Sequence, residues 1–235
     1  MPLLTRTKSK ALSLIKTGPV PLRVVREVRT EAHLAGVRIR RRLSPSARSK
    51  EHTLMQMREV KLHFGCGPRI LPGWINIDGW AFPDIDFAAD LKQPLPFSDA
   101  ACRLIFTEHV FEHIDADFRL PVLREFVRVL RPGGRLRIVV PDCQQFVDAY
   151  LRRDEAWFQS GLGWQAGGAV GLNNVFTMHT HRMIDDWDSL STALYEAGFS
   201  HVERSSFNAS ANPELRIDCD APSRALCSLY VEAQR

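Results

Sequence analysis

Five short apolar runs, each closing on a glycine turn or a polar residue, set the limits on this chain. Val60–Phe64 runs into Gly65-Cys66-Gly67, and Trp74–Asp78 ends on its own aspartate. Ile85–Ala89 leads to Asp90, Cys102–Thr107 to Glu108-His109, and Arg135–Val140 to Pro141-Asp142. Between the last two lies a helix-period stretch, Phe118–Leu130, with Leu120, Leu123, Phe126, Val127 and Leu130 on one face. Arg131-Pro132-Gly133-Gly134 should stop that helix and turn the chain. Further helices are expected at Gln144–Arg152 and at Asp185–Ala197, the latter ended by Gly198. His201–Phe207 and Leu226–Val231 read as the last strands, and residues 153–184 as irregular. Strands alternating with helices imply an α/β fold on a mainly parallel sheet. Such sheets bind ligands beyond the carboxyl ends of their strands, where these polar residues fall.

The glycine turn after Val60–Phe64 is a candidate cradle, since glycine lets backbone come close to a ligand. A dinucleotide fingerprint fits poorly. Its third glycine is replaced by Ile70, and Asp78 follows Gly67 too soon for a full helix, with Pro68, Pro72 and Gly73 between them. No Gly-Lys-Ser/Thr follows, which excludes a phosphate-binding P-loop.

Charge is unevenly spread. Residues 1–50 hold thirteen Lys or Arg against only Glu27 and Glu31; the remainder holds eighteen basic and twenty-five acidic residues. We therefore divide the chain into a basic N-terminal extension, 1–50, partly helical or mobile, and a folded domain, 51–235. Residues 1–20 are expected to be mobile. Leu22 to Leu43 shows loose helical spacing, and Ser44-Pro45-Ser46 to Glu51 reads as a linker. The helix can dock on the domain, on a second copy in a homodimer, or on an anionic membrane surface. Without aromatic interleaving or a reading motif, no nucleic acid partner is expected. Five unpatterned cysteines argue for a reducing, cytoplasmic setting and against a disulfide framework or zinc ribbon. There is no apolar run of about 20 residues to span a membrane, and Met1 to Lys16 does not read as a signal peptide.

An ordered set of motifs carries a resemblance. It comprises Leu62-His63-Phe64-Gly65-Cys66-Gly67, Leu71-Pro72-Gly73-Trp74-Ile75-Asn76-Ile77-Asp78, Asp90-Leu91 with Pro94-Leu95-Pro96-Phe97, and Glu108-His109-Val110-Phe111-Glu112-His113. Arg128–Gly134, Val140-Pro141-Asp142, His181-Arg182, Ala197-Gly198-Phe199 and Ser228–Ala233 complete it. Together they resemble the class I S-adenosylmethionine (SAM)-dependent methyltransferases, in a type 11-like bacterial branch found with glycan-building enzymes. The resemblance spans about residues 58–235 and leaves the basic arm outside. It implies a Rossmann-like seven-stranded sheet with flanking helices and an antiparallel last strand. It also implies SAM as cofactor, held by Phe64, Gly65, Cys66, Gly67, Asp78, Asp90, Leu91, Glu108 and His109. Asp78 would take the ribose hydroxyls, Asp90 the adenine amino group beside Leu91, and Glu108 and His109 would lie near the sulfonium and amino-acid end.

The activity implied is O-methylation of a saccharide or glycan precursor. Alternatives are a small natural-product hydroxyl, or a non-catalytic SAM-binding scaffold acting through the basic arm. A hydroxyl is a poor nucleophile, so a base helps, and histidine titrates near neutrality. His109 is the first candidate and His113 the second. Asp142 could orient a base or a substrate hydroxyl. His181 comes from the 153–184 segment expected to cover the pocket; His179 reads as surface. Magnesium is compatible with His109, Asp115, Asp117 and Asp142, although no spacing specifies a metal. Trp157, Trp164 and Phe176 are candidates for a sugar-stacking wall.

Overall fold

The computed structural model describes residues 22–177 and 180–235. The mobile segment expected at 1–20, and His179, lie outside the described residues. Two helices come first, α1 (Leu22–Leu43) and α2 (Pro45–Gln56). Then come strands β1 (Val60–Phe64), β2 (Ile75–Asp78), β3 (Phe87–Ala88) and β4 (Cys102–Glu108). A 3-10 turn, Phe111–His113, leads to α3 (Ala116–Val129), β5 (Leu130–Pro141) and α4 (Cys143–Leu151). After a π turn at Trp157–Gly161 follow α5 (Gly168–Thr177), α6 (Trp187–Ala197), β6 (His201–Arg204), α7 (Pro222–Cys227) and β7 (Ser228–Gln234).

The seven strands form one sheet in the order β3-β2-β1-β4-β5-β7-β6. β1 to β5 pair in parallel, while β7 runs antiparallel to both β5 and β6. This is the Rossmann-like seven-stranded sheet with an antiparallel last strand that the resemblance implied. Order reverses at β1/β4, and the crevice past the carboxyl ends of those strands is where such a sheet takes a ligand. Leu62, Phe64, Ile77, Ile105, Ile138 and Val231 of the strands pack with Leu123 and Phe126 of α3 and Leu190 and Leu194 of α6. Asp186 caps α6 through a reciprocal bond with Ser189, and Gly198 ends it at φ 111°.

Several expectations change. Ser44 is the N-cap of α2, with its hydroxyl accepting from the Ala47 amide, and Pro45 takes the first helical turn. The expected linker is therefore helical, and α2 crosses the 50/51 boundary. Arg131-Pro132-Gly133-Gly134 does not form a separate turn but is absorbed into β5, which starts as α3 ends. Residues 153–184 are not irregular throughout, since α5 lies inside them. Trp157 and Trp164 pack on Phe146 and Phe158, making a second aromatic core rather than a sugar-stacking wall. Phe176 is 44% exposed and lies outside the cavity described below.

Beneath β5 sits a fully buried ion cluster. Arg137 donates to Asp218 at 2.7 and 2.5 Å, to Glu232 at 2.8 Å and to Ser205 at 3.0 Å. A planar guanidinium satisfies two carboxylates here, tying the 205–218 loop to the sheet.

Candidate functional site

The carboxyl ends of β1, β2, β3 and β4 open into one cavity of about 520 Å³. Gly65, Gly67, Asp78, Asp90, Leu91 and His109 all line it. At Gly65, φ is 72° and an added Cβ would come within 2.3 Å of a Val110 methyl, so only glycine fits the turn. The Gly67 amide donates to Asp78 Oδ2 at 2.8 Å, and the Trp80 amide donates to Oδ1 at 2.8 Å. Burial pushes the Asp78 carboxyl up, and these amide bonds oppose it. A carboxylate has about four acceptor positions, so Asp78 keeps acceptor capacity for a ligand.

Phe64 and Cys66 do not line the cavity. Phe64 is buried against Phe126 with ring centroids 4.8 Å apart. Cys66 is buried, and its thiol is pushed up to about 12, chiefly by burial. Any contribution from these two is through backbone, as the glycine turn passes.

Glu108 is a correction. It shares a face of β4 with Leu104 and Phe106, since strand side chains alternate, and that face packs against Leu215. Its oxygens accept from the Cys219 amide at 3.1 Å and from Arg69 at 3.1 Å, and it is not part of the cavity wall. Asp142 is the second. It caps α4, accepting from the Gln144 amide at 3.1 Å and from Gln145 at 3.2 Å, away from the cavity.

His109 holds a left-handed backbone, φ 53°, just past β4. Its Nε2 lies 2.9 Å from Ser228 Oγ, and its Nδ1 lies 3.3 Å from Glu112 Oε1. His113 also lines the cavity, with its Nε2 3.9 Å from the same Glu112 oxygen. His181 stands behind His113 rather than on the wall, with ring centroids 5.0 Å apart. Its Nδ1 donates to the Val175 carbonyl at 2.5 Å. The Arg182 and Met183 amides donate to the Glu112 carbonyl at 2.7 and 3.3 Å, which pins this segment beside the 3-10 turn. Burial works to raise the Glu112 carboxyl, but His109 and His113 outweigh it and hold it below the usual range. Burial also lowers His113, so at neutral pH that ring supplies less of the help than its distance suggests.

The donors expected for magnesium do not assemble. Asp115 pairs with Arg182 at 3.2 Å and Lys92 at 3.6 Å, while Asp142 caps its helix. Among the described residues, Glu112, His113 and His181 are the group whose ligand atoms all approach within 4.8 Å.

The far wall was not foreseen. It is α1, which contributes Arg26, Glu27, Thr30, Glu31 and Leu34. Arg38 of the same helix donates to Asp90 Oδ2 at 2.5 Å, and the Lys92 amide donates to Oδ1 at 3.1 Å. His33 stacks on Trp80 at 3.9 Å and 11°, and its Nε2 bonds the Gly79 carbonyl at 3.0 Å. Lys92 reaches Glu31 at 3.0 Å, and Arg182 reaches Glu27 at 3.1 Å. Helical spacing revealed α1 but not the face it would offer to a ligand.

Residues 74–138 match the family model of a methyltransferase domain. Over that segment the chain is similar to a methyltransferase domain. The matched segment runs from the start of β2 into β5 and takes in Asp78, Asp90, His109 and Glu112. Among solved structures, similarity extends to a SAM-dependent methyltransferase from Mesorhizobium loti. It is 18% identical, covers 80% of this chain and 97% of the other, and has a TM-score of 0.47. Another, from Thermotoga maritima and described as a possible histamine N-methyltransferase, is 14% identical with coverage of 79% and 87% and a TM-score of 0.46. A third is the Burkholderia thailandensis 1,6-didemethyltoxoflavin-N1-methyltransferase, with S-adenosylhomocysteine bound. It is 14% identical with coverage of 93% and 92% and a TM-score of 0.45. No curated protein matches. The matched methyltransferase domain and the sheet order support SAM-dependent methyl transfer.

Proposed function

We propose that this methyltransferase domain binds SAM across Gly65, Gly67, Asp78, Asp90 and Leu91 and passes its methyl group to a hydroxyl of a saccharide or glycan precursor. The observation that carries the reading is the single cavity at the ends of β1 to β4 lined by these residues together with His109. Asp78 has acceptor positions left for the ribose hydroxyls. Trp80, stacked on His33, offers a flat wall beside the base. When bound, SAM supplies the electrophilic methyl. The protein's part is to align a hydroxyl for in-line attack and to receive its proton. His109 is the base in this reading, with Glu112 offsetting the charge of its imidazolium. Thr30, Glu31, Asp115, Thr180 and Arg182 give the cavity a polar rim, which suits a polyhydroxylated acceptor better than an apolar one.

Partners and place follow the same reading. The exposed face of α1, where Val24, Val28, Ile39 and Leu43 stand with Arg29, Arg40 and Arg42, supports peripheral contact with an anionic membrane surface. All five cysteines are free thiols, in keeping with a reducing, cytoplasmic setting. No helix among the described residues is long and apolar enough to cross a membrane.

The test is transfer of labelled methyl from SAM to a panel of free and lipid-linked saccharides, with phenolic acceptors as comparison. Methylated sugar, lost in His109→Ala but with SAM still bound, is the expected result. Methylation of phenols alone would move the acceptor to natural products. SAM binding without transfer to any acceptor would favour the scaffold role.

A further inference from the structure

Among the described residues, buried carboxylates other than Glu112 have well-formed donors. Asp185 pairs with Arg119, Asp218 and Glu232 with Arg137, and Glu108 with Arg69 and the Cys219 amide. Asp78 and Asp90 accept from loop amides, and Asp142 from its own helix. Glu112 is fully buried, and among the described residues neither of its oxygens has a well-formed hydrogen bond; the nearest donor, His109 Nδ1, stands 3.3 Å from Oε1. A buried charge without donors is costly, and such a group calls for a missing partner. What surrounds it is histidine: His109, His113 and His181.

The two rings in the ligand group are also oriented from behind. His181 donates Nδ1–H to the Val175 carbonyl, which leaves its Nε2 as an acceptor. His113 makes a backbone hydrogen bond to Thr180, and its Nε2 faces Glu112. Outer partners of this kind fix the tautomer of metal-binding histidines. Bonds of about 2.0–2.2 Å to a common ion keep any two donors within ~4.4 Å, so the observed set needs only slight contraction.

We propose that Glu112, His113 and His181 hold a divalent transition-metal ion beside the cavity, where His113 lines the wall, and that this ion takes the acceptor's hydroxyl as a further ligand. Two imidazoles and one carboxylate suit ions of the zinc, iron or manganese kind, whereas magnesium favours oxygen donors. The second half rests on the methyltransferase reading. A metal-bound hydroxyl loses its proton more readily. The O–H bond breaks and the proton passes to His109. The oxygen then forms the O–CH₃ bond as the S–CH₃ bond breaks and S-adenosylhomocysteine leaves. The metal keeps its oxidation state throughout. An acceptor with two adjacent hydroxyls is favoured, since both can reach one ion.

The experiment uses the full chain, stripped with chelator. Co²⁺ is added and followed by visible absorption, Zn²⁺ is added and followed by calorimetry, and Mg²⁺ serves as comparison. The expected result is one Co²⁺ or Zn²⁺ per chain and no stoichiometric Mg²⁺. Affinity should fall ~10-fold or more in Glu112→Gln and in His181→Ala. It should be unchanged in His201→Ala, whose ring is exposed on β6. S-adenosylhomocysteine titration of each variant reports that it is folded. No one-to-one metal binding by the unaltered protein overturns the proposal, as does equal affinity in folded Glu112→Gln and His181→Ala. Metal binding without S-adenosylhomocysteine binding would sink the cofactor reading and leave the metal site standing.

Discussion

Each oxygen of Asp78 already accepts one loop amide, from Gly67 and from Trp80, so this side chain both shapes the glycine turn and faces the cavity. Asp78→Ala removes both. S-adenosylhomocysteine affinity measured by calorimetry should fall 10- to 100-fold, or about 1.4–2.8 kcal/mol; unchanged affinity would show that the cofactor lies elsewhere. His63 acts on stability instead. It is buried in β1 with Nδ1 3.1 Å from Asn76 Oδ1, and burial lowers it from 6.5 to about 4. Above pH 6.5 it is neutral in both folded and unfolded chains. As pH falls from 6.5 toward 4 the unfolded chain takes up a proton that the folded one refuses, so stability drops over that window. His63→Gln keeps a polar side chain and does not titrate. Denaturant unfolding at pH 7 and pH 4.5 should show the unaltered protein losing about 2–3 kcal/mol more than the variant.

β5 is the element on which the sheet and the 205–218 loop both depend, through Arg137. Arg137→Met keeps bulk but strips Asp218 and Glu232 of the guanidinium between them, leaving only the Asn208 amide on Asp218 and Arg135 at 3.7 Å from Glu232. We expect about 3–5 kcal/mol of destabilisation in urea unfolding, and a loss below 1 kcal/mol would mean that the cluster is solvated. The elements were legible wherever local pattern set them. β1 was read to the residue, and α1 likewise, because apolar spacing and flanking breakers do not depend on distant chain. The parallel order was legible from alternation. The ends of the site were less so. Glu108 and His109 are neighbours in sequence, but strand alternation sends Glu108 beneath the 205–219 segment while a left-handed residue turns His109 to the cavity. Asp142 looked like the other strand-end acids, yet it begins a helix and is used as its cap. Glu112 was passed over because an acid inside an apolar turn shows its meaning only when His181, far along the chain, arrives beside it.

At the scale of the molecule, the basic extension has two faces. Inward, Thr30, Leu34 and Arg38 meet the cavity and Asp90. Outward, Val24, Val28, Ile39 and Leu43 form one exposed apolar stripe with Arg29, Arg40 and Arg42 exposed on the same helix. Such a face favours anionic bilayers. Sedimentation with vesicles should carry the protein down when anionic lipid is present, less so at high salt. Val28→Glu should cut the bound fraction several-fold, and equal binding to neutral vesicles would remove the electrostatic part of this reading. The inward face bears on timing. On the proposed reading, a cofactor in this cavity lies beside the Arg38–Asp90, Glu31–Lys92 and Glu27–Arg182 contacts, and its exchange is expected to need them to part. The dwell time of spent S-adenosylhomocysteine is then set by how often the helix lifts. In stopped-flow displacement, Arg38→Ala should shorten that dwell several-fold, and an unaltered release rate would make α1 a fixed wall. A helix with a bilayer on one side and a nucleoside on the other would let the membrane act as a clock on turnover.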